Sequence, residues 1–478
     1  MKIPKAIGKL YIAIVTLLVI GGLQITSSIA QTPNTVRIEG IIKPIESNLQ
    51  QVDIYFRTNS PRVKFEVDSN LRFSGDLSLE KPDYVEFTSR KCGFRSAKFY
   101  LKPGIKVKLE IIENTDRKWE VRFIGDGISD INSYLGKKAQ IVEKIKRSKG
   151  KNIYQLNGSE FLKTANTIET QVEDLLKEMK LEPKFTNTEK QKLEEEKLQM
   201  LTRFSSNSEF VMSGAQLPEN FDDGFIGYNL NTPLTPAKKA IVKKAFELQA
   251  IHLFKTKNIT LFEAQRNIIE GIDYKETRNY MIRSLSEYTR YRLPSTKEHL
   301  KFIINNIDDK ELANGVKTTY EIISSVKIDD SYSLLDSLKT INDEYVNLSD
   351  FKGKYVFLGL WSTWMEPIKK EMVYLRKLEK EYRNKNIVFV GLSKDGITNT
   401  ERWKKLVKDL KPGGVQLMIN RNKKEHTDFL AHIKKIGIYR FLLFDPNGKL
   451  IHSYAPKPSD EFLLKELFNT LDVNLVNF

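Results

Sequence analysis

The sequence predicts a multidomain chain of the α+β class, with a β-sandwich-like region at 33–125, a helical region at 126–345 and an alternating α/β region at 346–478. Three observations predict it. The chain has 478 residues, too many for one core of ordinary size. Its hydrophobic content of 40% suits folded domains rather than a disordered polymer. Its apolar pattern also changes twice: short β-like runs give way to apolar residues every three or four positions, and these to strands alternating with helices.

Residues 1–30 have the pattern of a signal peptide. Lys2, Lys5 and Lys9 precede an apolar run from Leu10 to Leu23, and Ser28-Ile29-Ala30 offers a small-x-small cleavage site. The expectation is an exported protein of the periplasm or cell envelope, with an N-terminal membrane anchor as the alternative. No cysteine lies near the cleavage site to carry a lipid. Cys92 is the chain's one cysteine, so no intrachain disulfide can form. Flanked by Arg90 and Lys91, it reads as a small buried hydrophobe or, alternatively, a reactive thiol.

Strands are expected at Val36–Ile42, Gln51–Phe56, Tyr84–Thr88, Lys98–Leu101, Lys106–Ile112 and Trp119–Phe123, punctuated by Asn59-Ser60-Pro61, Pro82-Asp83 and Lys102-Pro103-Gly104. They predict a small antiparallel β-sandwich. Beyond Ile128 the helical period appears, clearest over Phe161–Leu181 and Asn187–Phe204; the charge run Glu189–Lys197 reads as a solvated helix face. Tyr280, Tyr288 and Tyr291 recur at helical spacing and read as packing residues.

The last region alternates: strand Tyr355–Trp361, helix Lys369–Arg383, strand Ile387–Leu392, helix Trp403–Leu410, strand Val415–Ile419, helix His426–Lys434, a hairpin Arg440–Phe444 with Lys449–Tyr454, and helix Asp460–Leu471. At its centre, Ser362 and Thr363 can cap a helix, Glu366 suits the first turn, and Pro367 falls where a missing N–H costs little. Strand, tight turn and helix thus meet at Trp364-Met365-Glu366-Pro367-Ile368. This corner resembles the active-site corner of the thioredoxin fold. Leu348-Ser349-Asp350-Phe351-Lys352-Gly353-Lys354 before it and Ser393-Lys394-Asp395 after it look like the TlpA/ResA branch of AhpC/TSA-type redoxins, exported bacterial thiol-disulfide oxidoreductases. The Phe99-Tyr100-Leu101-Lys102-Pro103-Gly104 stretch is similar to the β-domain that often precedes such a domain.

The resemblance implies a Trp-Cys-x-Pro-Cys dithiol and a cis-proline opposite it. Met365 and Ile368 occupy the two cysteine positions, and Tyr439 the proline position in Gly437-Ile438-Tyr439. A thioether has no proton to lose and cannot attack a disulfide. A cis bond before Tyr439 would cost about 2.5–4 kcal/mol, so a trans bond is expected. Glu371 matches the family's buried glutamate and is expected to pair with Lys369, Lys370 or another base. No catalytic residue, cofactor or metal site is therefore expected; His426 and His432 are not spaced to share a helix face.

The net charge is +16, and residues 346–478 hold 24 Lys and Arg against 15 Asp and Glu. Such a surface suits weak association with anionic envelope surfaces. No stacking-aromatic module accompanies the lysines, which argues against nucleic acid. The expected function is binding of a protein or peptide partner through Trp361, Trp364, Met365, Glu366, Pro367, Ile368 and Tyr439. The alternatives are a thiol-disulfide oxidoreductase, as the resemblance implies, and an envelope structural protein acting through its helical region.

Overall fold

A computed structural model describes residues 34–45, 52–58, 62–89, 94–115, 119–124, 128–207, 217–291, 293, 295–325, 333–434 and 440–471. The signal segment, Cys92 and Tyr439 lie outside the described residues. The chain forms two compact units, residues 1–139 and 140–478.

In the first unit, one sheet takes β1 (Thr35–Lys43), β4 (Arg72–Ser78), β7 (Lys106–Glu113) and β8 (Trp119–Ile124) in the order β4-β1-β7-β8. A second takes β2 (Ile54–Arg57), β3 (Val63–Phe65), β5 (Asp83–Ser89) and β6 (Phe94–Leu101) in the order β3-β2-β5-β6. Val36, Ile38, Phe56, Phe87 and Val107 share one buried cluster, which makes the two sheets a sandwich. The expectation of an all-antiparallel arrangement fails at its centre, where β1 runs parallel to β7. Two strands had no counterpart in the expected set. Of these, β4 reads Arg-Phe-Ser-Gly-Asp-Leu-Ser, and its polar outward positions imitate a loop while Phe73 and Leu77 point inward. In the first turn of the first helix, α1 (Ser129–Arg147), the Asn132 side chain accepts from the Tyr100 N–H and donates to the Tyr100 carbonyl.

The second unit opens with helices α2 (Gly158–Glu178), α3 (Pro183–Ser205), α4 (Asp223–Ile226), α5 (Lys239–Lys257), α6 (Leu261–Glu270), α7 (Lys275–Ser284), α8 (Thr296–Asn306) and α9 (Lys310–Ser325). Local chemistry sets several starts: Asn157 caps α2 through the Glu160 N–H, and Thr260 and Glu263 form a capping box on α6. The charge run on α3 departs from expectation. Glu189 is fully buried, because it sits on the Phe185–Leu193 stripe at four-residue spacing, and the run also reaches neighbouring helices through Lys197–Glu169 at 2.6 Å and Lys238–Glu195 at 2.7 Å. Tyr291 is buried and Tyr288 stacks on His299, so these tyrosines do pack.

The C-terminal part is a mixed sheet of seven strands: β9 (Leu338–Thr340), β10 (Tyr345–Val346), β11 (Tyr355–Trp361), β12 (Ile387–Ser393), β13 (Val415–Met418), β14 (Arg440–Phe444) and β15 (Leu450–Ala455). Their order is β10-β9-β13-β12-β11-β14-β15. Strands β11, β12 and β13 are parallel, and β14 runs antiparallel to β11. Helices α10 (Glu366–Glu381), α11 (Thr400–Leu410), α12 (Lys424–Lys434) and α13 (Glu461–Asn469) alternate with them. Every residue of β11 is buried, as a central strand covered on both faces must be. Gly359 is required there, since a Cβ would lie 2.6 Å from the Phe441 ring, which stacks on Phe357. Phe357, Phe389, Phe441 and Leu443 pack with α10, α11 and α13 on one side. Val356, Leu358, Leu360, Leu392 and Leu442 pack with Phe429 and Ile433 of α12 on the other.

The helical segment is part of that first layer. Ala250, Leu261, Ala264, Tyr291 and Leu293 share one apolar cluster with Met365, Met372 and Leu464, and Phe254 meets Phe462 edge-on at 4.7 Å. Among the described residues, no helix is long and apolar enough to cross a membrane.

Candidate functional site

Strand β11 ends at Trp361, the chain turns over Ser362–Trp364, and α10 starts at Glu366 with Met365 as its N-cap. The expected capping by Ser362 and Thr363 does not occur. Instead, the Thr363 N–H and hydroxyl donate to the Asp395 carboxylate at 2.9 and 3.2 Å, and the Ser393 hydroxyl adds a third donor at 2.8 Å. The Met365 N–H donates to the Ser362 carbonyl. A carboxylate beyond β12 therefore fixes the turn, and the Ser-x-Asp motif has a structural task.

Trp361 is 1% and Met365 7% exposed, both within the apolar cluster shared with the helical segment. Trp364, between them in sequence, is 61% exposed. The expected apolar corner is thus divided: Trp361 and Met365 face inward, in one apolar cluster with residues of the helical segment. Glu366, Pro367 and Ile368 occupy the first turn of α10; their side chains, like Tyr439, lie outside what is described.

Glu371 departs from expectation too. It is buried and accepts from the Ser459 N–H at 2.9 Å and the Ser459 hydroxyl at 2.8 Å, while Lys370 donates to the Ser206 carbonyl at 2.7 Å. Burial pushes the Glu371 carboxyl above its ordinary range, against the two Ser459 hydrogen bonds. Next along the chain, Asp460 is also raised by burial and accepts from the Tyr291 hydroxyl at 3.1 Å. The carboxyls of Glu371 on α10 and Asp460 at the start of α13 are thereby both given hydrogen-bond partners.

His426 and His432 do not meet in a ligand set. His426 accepts from the Asn420 N–H and donates from Nε2 to the Asp336 carbonyl at 2.8 Å, whereas His432 bonds the Asp428 carbonyl one turn back. Among the described residues, no group of three or more His, Cys, Asp or Glu is placed to hold a metal.

Sequence reasoning missed a basic cluster at the same end of the sheet. Arg440 heads β14 and is 2% exposed, and among the described residues no guanidinium nitrogen of it has a hydrogen-bond partner. Lys394 follows β12, and the Arg421 Nε–H donates to its carbonyl at 2.9 Å. The available signal was an arginine at the head of the apolar run Phe441-Leu442-Leu443-Phe444, read simply as a strand.

With three parallel strands, an antiparallel hairpin and flanking helices, the C-terminal part is a thioredoxin-like α/β domain, and residues 336–465 match the AhpC/TSA family. That segment is an AhpC/TSA-family domain at the C-terminal end of the described fold. Among its relatives are the thiol-disulfide oxidoreductase ResA of Oceanobacillus iheyensis, 39% identical over 87 residues that cover 16% of this chain and 45% of that protein, and the thioredoxin-like protein YneN of Bacillus subtilis, 49% identical over 49 residues that cover 10% and 29%. The chain spans less than half the length of these curated relatives. The solution structure of a putative thiol-disulfide oxidoreductase from Bacteroides vulgatus is 33% identical, with a TM-score of 0.26, over 28% of this chain and 85% of that one.

Proposed function

We propose that this chain is an exported, envelope-located member of the redoxin family that binds a protein or peptide partner instead of exchanging disulfides. The observation that carries the reading is the replacement of both thiol positions, Met365 and Ile368, in a chain whose one cysteine is Cys92. Exchange needs a thiolate to attack and a second thiol to resolve the mixed disulfide. Burial of Met365 supports the same reading, since an attacking group there has no solvent face. Exposed Trp364 is the contact we assign to the partner, because an exposed indole offers a large rigid apolar area with one polar end.

A second reading, a working thiol-disulfide oxidoreductase or redoxin, is favoured by the family match and by the relatives' names. Insulin reduction by the purified full chain with dithiothreitol separates the two. No turnover above the uncatalysed rate is expected; turnover that survives Cys92→Ser overturns the binding reading. The partner itself is tested by capture from an envelope fraction with the wild-type chain and with Trp364→Ala. Equal capture by both removes Trp364 from the contact.

A further inference from the structure

The guanidinium of Arg440 is buried, carries five N–H donors, and meets no acceptor. An uncompensated charge in a protein interior is among the most costly arrangements a fold can hold. Its surroundings do not neutralise it. The Tyr454 ring lies 5.8 Å from the guanidinium and supplies no hydrogen bond to it. Asp395 already accepts from Thr363 and Ser393. Lys394, on which Arg440 and Arg421 both act, adds positive charge. Burial and the guanidiniums of Arg440 and Arg421 bring the Lys394 ammonium down to about 8, and burial brings Arg440 down to about 10.

The backbone places these cations together. Arg440 stands opposite Leu360 in the β11–β14 register, the Lys394 N–H donates to the Trp361 carbonyl at 2.8 Å, and Arg421 donates to the Lys394 carbonyl. Arg421 is exposed and Arg440 is buried, so the cluster runs from solvent inward. We propose that Arg440, Lys394 and Arg421 form a binding site for a small oxyanion, a carboxylate or a phosphate. Two oxygens on one centre match the guanidinium fork, and the ligand's charge offsets the mutual repulsion of the three cations. The site requires neither Trp364 nor a protein partner.

The test is thermal unfolding of the full chain, followed by tryptophan fluorescence, with sodium chloride exchanged for sodium acetate or sodium phosphate at fixed ionic strength. Three of the four tryptophans, Trp361, Trp364 and Trp403, report on the second unit. In the wild type, Tm rises and saturates with at least one of the two anions. The more effective one identifies the ligand class, and equal potency assigns both. Arg440→Met, which replaces a buried charge by an apolar side chain of similar length, melts higher in chloride and loses the saturable rise. Arg421→Gln, at an exposed position, still folds and moves the rise to about fivefold higher anion concentration. Identical Tm in chloride and both oxyanions overturns the proposal. So does a saturable rise retained in full by Arg440→Met or, should that variant not fold, by Arg421→Gln.

Discussion

Two places at one end of the C-terminal sheet handle awkward side chains in opposite ways. At the β11–α10 corner Met365 is buried in an apolar cluster that also holds residues of the helical segment, and nearby Glu371 and Asp460 find Ser459 and Tyr291 as partners. At the head of β14, Arg440 is equally deep and has no acceptor. The difference separates side chains that find partners from one that retains a cost. A flexible thioether leaves a packed interior. Holding an unpaired guanidinium inside opposes folding, which points to a ligand.

The comparison is broken most severely by placing a charge in the corner. Met365→Asp should lower stability by about 3–5 kcal/mol, because a carboxylate would enter an apolar cluster without a donor. Urea denaturation measures it; a loss below about 1 kcal/mol would show the corner to be open to solvent.

A second prediction concerns a buried polar group in the helical segment. His299 bonds the Ser295 carbonyl through Nδ1, faces Gln265 through Nε2, and is brought by burial down to about 4 from 6.5. Between those values the unfolded chain binds a proton that the folded chain does not. The stabilising contribution is therefore complete above about pH 6.5 and is lost as pH falls to about 4, on the order of 3 kcal/mol. Glu371 and Asp460, raised by burial, act in the other direction on acidification, so the informative quantity is the wild-type pH profile minus that of His299→Gln. An unchanged acid limb in the variant would mean that His299 titrates normally.

Ser459→Ala sharpens the corner's side of the comparison. It removes one of the two donors to Glu371 and should cost about 1–2 kcal/mol where the carboxyl is ionised. Because Ser459 favours the charged form, the loss should shrink as the solution is acidified into the carboxyl range. A cost independent of pH would mean that the hydroxyl serves packing rather than the carboxylate. The smallest effect is expected from Trp364→Ala, which should change stability by under about 0.5 kcal/mol because the indole is largely in solvent. A larger loss would place Trp364 in the fold and remove it as a contact for a partner.

Much of this molecule was legible in its sequence. The period of two in the first unit and the alternation after Tyr355 located most of their elements to within a few residues, and the period of about 3.6 located α2 and α3 but left the later helices of that segment unplaced. The absence of a dithiol was also a property of the sequence, because no arrangement of Met365 and Ile368 produces a thiolate. What the sequence did not contain was the set of neighbours. Glu371 was expected to pair with Lys369, Lys370 or another base, but the fold brings it Ser459 from 88 positions away, and Lys370 reaches a carbonyl at Ser206. The parallel pairing of β1 with β7, the placing of Met365 in one apolar cluster with residues about a hundred positions earlier, and the isolation of Arg440 were decided the same way. Each depends on contacts between segments distant in sequence. Local propensity and periodicity fix which face of an element is apolar, and only tertiary packing decides what lies against it.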